Sequence, residues 1–173
     1  MNRGANNLNY VDGFKDEIKT FKEFNLTFMY LLNATSLKPL FGTELDVKIG
    51  IDGVACIEKH LYGISLRVRN KNYNSFTLNR HITDPFSEVH KWKMNRSNKL
   101  KPSYHIQLAR MPGTNKVNAF RLNIDVIGMH LNYLINTNQL EQYYNPKLLA
   151  YEFTPGDLKR FDVTFFNEII EIQ

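Results

Sequence analysis

Gly50-Ile51-Asp52-Gly53-Val54 and, after a short gap, Gly63-Ile64-Ser65-Leu66-Arg67-Val68-Arg69 are the residues on which the fold turns. Both segments are β-rich, and the short polar Glu58-Lys59-His60 between them makes them the two strands of a hairpin. Successive strand side chains point to opposite faces, so Ser65, Arg67 and Arg69 share a face. Asp52 then lies near them at one end of the hairpin.

The chain has 173 residues, of which 43% are hydrophobic. That suffices for one domain with a core and is short for two. Residues 1–13 read as a flexible polar segment and 14–173 as a single domain. The lone Cys56 excludes an internal disulfide framework and a cysteine-based zinc site. It sits in the apolar run Val54–Ile57 and reads as an inert thiol. No apolar run approaches the ~20 residues of a membrane span, and Met1–Gly13 lacks the apolar stretch of a signal peptide. The expectation is a soluble, cytoplasmic protein with no membrane partner.

The net charge of +5 is unevenly spread. Residues 1–57 carry six Lys/Arg against seven Asp/Glu, residues 58–116 twelve against three, and residues 117–173 four against seven. A basic middle third favours a polyanion through counterion release. Its bland counterpart is a solvated lysine-rich face.

Taken in order, Phe14, Ile18, Phe21, Phe28 and Leu31/Leu32 recur at helical spacing and predict an amphipathic helix ending near Asn33, with Asp12 as its N-cap. Ser36 to Thr43 reads as a connection punctuated by Pro39 and Gly42. Glu44 to Lys48 alternates and reads as a half-buried strand continuing through Ile51, with Gly50 allowing a bulge beside Asp52. Ser75 to Arg80 reads as a third strand. Arg67, Arg69 and Arg80, with Lys71 nearby, would then line one face or edge of a sheet as phosphate contacts.

Asp84 to Lys93 predicts a short helix with Asp84 as N-cap and Pro85 first, Phe86, Val89 and Trp92 packing inward, and Glu88, His90 and Lys91 as auxiliary site candidates. Lys93 to Lys101 is a basic loop whose Arg96 is a candidate nucleic-acid contact. Strands resume at Tyr104–Met111 and Val117–Val126 around the turn Pro112–Asn115, their alternation predicting one covered face. Ile127 to Ile135 reads as a helix, Tyr143 and Tyr144 as loop anchors or base-stacking rings, and Leu148–Phe153 as a strand. Thr154–Phe161 reads as a short helix, and Val163–Ile172 as a closing strand or helix. His81-Ile82-Thr83 matches half of a two-histidine phosphodiesterase motif; the other half is missing at His105-Ile106-Gln107.

The Asp52, Ser65 and Arg67 spacing resembles the core of the PD-(D/E)XK nuclease superfamily, in which an Asp on one strand faces an acidic or amide residue, a spacer and a Lys on the next. IDGVACIEKHLYGISLRVRNKNYNSFTLNRH, followed by SEVHKWK, is also similar to small, largely phage-borne proteins with an R-x-R variant of this core. The resemblance covers roughly residues 41–135. It implies an α+β domain with an α/β-like, restriction-endonuclease-like core, a central mixed β-sheet flanked by helices. In function it implies a nucleic-acid-associated phage or mobile-element protein acting in the host cytoplasm on DNA more than RNA.

Such nucleases hold Mg²⁺ through carboxylates that activate water, and a Lys steadies the developing charge. Asp52 matches the first carboxylate, Asp46 is the second metal candidate, and Glu17 of the first helix, or Glu23, is a third acidic group. Ser65 replaces the second acid. Arg67 replaces the Lys; it stays protonated and so clamps phosphate without serving as a base. The alternative is a non-catalytic module on the same fold that engages DNA or a host defence protein, or a protein partner meeting the basic middle.

Overall fold

The computed structural model describes residues 5–70, 74–84, 87–94, 101–160 and 165–172. A long helix, α1 (Ala5–Leu32), opens it. Phe21, Phe24, Phe28, Leu31 and Leu32 are buried along one stripe, at the spacing that keeps a helix face on a core. Each such side chain stabilises by roughly 1.5–3 kcal/mol when fully buried. The helix begins at Ala5, so Asp12 lies inside it and is not its N-cap. Its end is tied down by the Arg121 guanidinium, which donates to the Leu31 carbonyl, one of the groups a helix terminus leaves open.

The next segment reverses the expected order of strand and connection. Ser36–Pro39 is a strand, β1, pairing antiparallel with β2 (Gly53–Ile57). Leu45–Ile49, expected as a strand, instead winds into a π-helical turn. The Asp46 carboxylate accepts from the Gly42 N–H at 2.8 Å, and Gly50 closes the turn in the left-handed region at φ 76°. Three alternating apolar residues, Leu45, Val47 and Ile49, over so short a span do not separate a half-buried strand from one irregular turn.

The hairpin of β2 and β3 (His60–Arg69) forms as read, with Gly53 opposite Ile64 and Ile57 opposite His60. Glu58 and Lys59 turn it with φ 49° and 68°, the primed geometry that matches strand twist. β3 then pairs in parallel with β5 (Tyr104–Arg110). β6 (Lys116–Asn123) and β9 (Phe165–Glu171) continue the sheet antiparallel. The result is a six-stranded mixed sheet in the order β1-β2-β3-β5-β6-β9. The fold is thus α+β with a central mixed sheet flanked by helices.

The expected third strand, β4 (Phe76–Asn79), does not join that sheet. It pairs with β8 (Ala150–Phe153), and β7 (Tyr144–Asn145) completes a separate three-stranded sheet. Between β4 and β5 the chain forms α2 (Glu88–Met94). Its start is capped by Ser87, whose Oγ accepts from the His90 N–H at 3.0 Å, and not by Asp84. Phe86 lies outside the described residues, whereas Val89 and Trp92 are buried as expected.

α3 (Ile124–Asn136) follows β6 directly. Asn123 caps it, its Oδ1 accepting from Asp125 N at 2.8 Å, so strand gives way to helix at Ile124 and not after Val126. α4 (Pro155–Arg160) starts with a reciprocal box: Thr154 Oγ1 accepts from Asp157 N, and Asp157 Oδ2 accepts from Thr154 N.

Both faces of the central sheet are covered. On one, α1 packs over Ile64, Ile106, Leu108, Val117 and Ala119. On the other, α2, α3 and the small sheet pack over Phe120 and Leu122. The expectation of a single covered face for β5 is corrected: His105 and Gln107 are buried like their apolar neighbours.

Candidate functional site

The β2–β3 hairpin carries Asp52 immediately before β2, where its backbone N–H donates to the Ile64 carbonyl at 2.9 Å. That bond sets its carboxylate beside the middle of β3. Oδ2 accepts from the Leu66 N–H at 2.5 Å and the Ser65 Oγ at 3.3 Å. Asp46, delivered by the π-helical turn, lies against the same carboxylate. Burial pushes the Asp52 carboxyl well above its ordinary range; the Leu66 N–H opposes this, and the charges of Asp46 and Glu88 add to it.

Asp52 opens into a cavity of about 470 Å³, whose walls include Glu17, Ser65, Arg67, Arg80 and Glu88. Glu17 reaches the cavity from α1. Its carboxyl is raised by burial and by Asp46. Glu23 does not enter the cavity. Arg110 holds it in a two-pronged ion pair, which pulls its carboxyl below the usual range.

Ser65, Arg67 and Arg69 do share one face of β3, but the two arginines are engaged within the protein. Arg67 donates to the Thr77 carbonyl at 2.9 Å and forms a largely buried ion pair with Glu88. Burial alone would raise the Glu88 carboxyl; the Arg67 guanidinium and the Asn79 N–H, 2.6 Å from Oε2, keep it low. Arg69 donates to Thr77 Oγ1 and Asn79 Oδ1, each at 2.7 Å. These contacts bolt the small sheet to the central one, so the anticipated row of arginines tracking phosphate is not what their partners describe. Arg80 is more than half exposed, at the cavity rim, and pairs with Asp84 at 3.1 Å.

Lys71 and Arg96 lie outside the described residues, and so does the Lys91 side chain. His81 bridges Thr83 and Glu141 at the surface, while His105 is fully buried, so the two histidines do not form a joint site. Tyr143 stacks on Phe153 and Tyr144 packs against His81 and Tyr151, as loop anchors do.

Two groups at the site are legible in the sequence only in part. Glu88 was weighed only as an auxiliary residue, and its pairing with Arg67 was not foreseen. His105, whose Nδ1 lies 3.0 Å from Ser65 Oγ, was weighed only as part of a missing motif. Burial and the positive charges of Arg67 and Arg69 lower its pKa to about 3, Glu88 opposing them, so its ring is neutral.

Asp46 and Asp52 supply hard oxygen donors, which suit Mg²⁺, an ion content with one or two carboxylates and several waters. Among the described residues no three His, Cys, Asp or Glu side chains converge as a ready-made metal cage. Among the same residues no helix is long and apolar enough to cross a membrane. No family model, no curated protein and no solved structure matches the chain.

Proposed function

We propose that this chain is a nucleic-acid-associated protein with a PD-(D/E)XK-like core, whose cavity beside the start of β2 and the second half of β3 takes Mg²⁺ and works on phosphodiesters, DNA before RNA. The observation that carries the reading is the Asp46–Asp52 pair. Two carboxylates side by side, one of them buried and, among the described residues, with no cationic side chain bonded to it, repel one another unless a cation or a proton lies between them. In support stand the hairpin that aims Asp52 into the cavity and the helix that brings Glu17 there, both in the arrangement the resemblance implies.

When bound, Mg²⁺ supplies polarisation of the phosphate and a more acidic water. Asp52 and Asp46 would hold it. Glu17, with its raised pKa, is suited to exchange a proton with water in the cavity. Arg80 at the rim is the cation best exposed to meet a phosphate.

A second reading, a binding module of the same fold without catalysis, is favoured by one observation: the residue in the Lys position, Arg67, is neutralised by Glu88. Incubation with labelled single- and double-stranded DNA and RNA in Mg²⁺, Mn²⁺ or EDTA separates the readings. Cleavage that needs metal and disappears in Asp52→Asn supports the nuclease. Binding without cleavage supports the module, and neither binding nor cleavage refutes both.

A further inference from the structure

Behind Asp52 a short polar chain runs into the core: Asp52 Oδ2, Ser65 Oγ at 3.3 Å, His105 Nδ1 at 3.0 Å. Ser65 is 4% exposed and His105 not at all. The imidazole is boxed in by Trp92 and Phe76, ring centroids 5.4 and 5.3 Å away. Its Nε2 has no hydrogen-bond partner among the described residues. The cavity reading assigns no role to this histidine.

We infer that His105 is a positioning residue for Asp52, a neutral Nδ1–H tautomer that donates to Ser65 Oγ and thereby fixes the Ser65 hydroxyl as a donor to Asp52 Oδ2. The inference rests on the reading of Asp52 as a metal-binding carboxylate. A carboxylate only accepts, so the Ser65 O–H must point at it, and the serine oxygen must then accept from the imidazole. With Nδ1 protonated, Nε2 is left a bare lone pair among rings. The opposite tautomer would bury an N–H without a hydrogen-bond acceptor, the costlier of the two.

The Leu66 N–H and the Ser65 O–H both converge on Oδ2. Oδ1 is the oxygen that neither donor holds, on a carboxylate that Asp46 also meets, and the carboxylate cannot rotate without breaking both bonds to Oδ2. This is the way outer partners orient a metal-binding group in other proteins, where their loss lowers metal affinity roughly 10–100-fold.

The test uses the full chain labelled with ¹⁵N-histidine at pH 8.5, together with Mn²⁺ titration. His105→Asn keeps an N–H donor near the place of Nδ1; His105→Leu removes it; Ser65→Ala removes the hydroxyl and keeps the core should the leucine variant fail to fold. Expected are a His105 signal of the Nδ1–H tautomer, about tenfold weaker Mn²⁺ binding in His105→Leu and Ser65→Ala, and affinity within about threefold of the parent in His105→Asn. An Nε2–H tautomer, or unchanged Mn²⁺ affinity in both Ser65→Ala and His105→Leu, overturns the inference. If the parent chain binds no Mn²⁺, the metal reading fails instead, and the tautomer alone decides whether His105 orients Asp52.

Discussion

Replacing Glu88 by Ala tests the arrangement that most separates this cavity from its expected form. In the parent protein the Glu88 carboxylate meets Arg67 through Oε1 and the Asn79 N–H through Oε2. The two side chains are only 14% and 13% exposed. Removing the acid strands the guanidinium with Thr77 O as its remaining partner and leaves a part-buried N–H open. Breaking such a pair from one side costs about 3–5 kcal/mol. We expect the lower end, about 3 kcal/mol, because Arg67 borders the cavity and water can reach it. For a domain of this length that is a fall in Tm of roughly 6–12 °C.

The pH dependence has a definite sign. The Glu88 carboxyl is held below its ordinary value in the fold, so its contribution is present above the unfolded pKa near ~4.3 and fades as pH falls through the lower folded value. The gap between parent and Glu88→Ala in urea unfolding should therefore be full at pH 7 and narrow below about pH 4. The pair Arg67→Met with Glu88→Leu, which removes both charges, should recover most of the loss. A Glu88→Ala protein within about 1 kcal/mol of the parent at pH 7 would refute the claim that Glu88 neutralises Arg67.

Asp52→Asn should stabilise the metal-free protein by about 1 kcal/mol at pH 8. A carboxyl raised by burial and Asp46 is worth most below its unfolded pKa near ~3.9 and less as pH rises, so thermal unfolding should show the gain vanish near that pH. Gly63→Ala should cost about 1–3 kcal/mol, because its Cβ would come within 3.1–3.3 Å of Ile51, the neighbour of Asp52; a neutral change in urea unfolding would mean that Ile51 can yield. Glu58→Asn with Lys59→Gly should raise stability by about 0.4–1 kcal/mol, since both positions hold positive φ; a lowered Tm would mean that those side chains matter for more than the turn.

How much of this was legible depends on how far apart in the chain the cooperating residues lie. The β2–β3 hairpin was readable, because it is local and its alternation extends over a ten-residue strand, which set Asp52, Ser65 and Arg67 together. The turn at Leu45–Ile49 was not, because the alternation of Leu45, Val47 and Ile49 imitates a strand and only the Gly42–Asp46 bond and left-handed Gly50 break the pattern. Arg67 and Glu88 are 21 residues apart, and their meeting depends on how the crossover from β3 to β5 folds β4 and α2 back onto β3. No local pattern encodes that.

The burial of His105 did leave a trace. From Tyr104 to Ala109 there is no charged residue on either face, unusual for a strand with one side in water, and β5 lies between β3 and β6 in the sheet. In a strand covered on both sides the polar residues are the informative ones, because each needs a partner. Gln107 finds Thr77 and the Ser75 carbonyl, and so ties the two sheets together. His105 finds Ser65, and through it the Asp52 carboxylate.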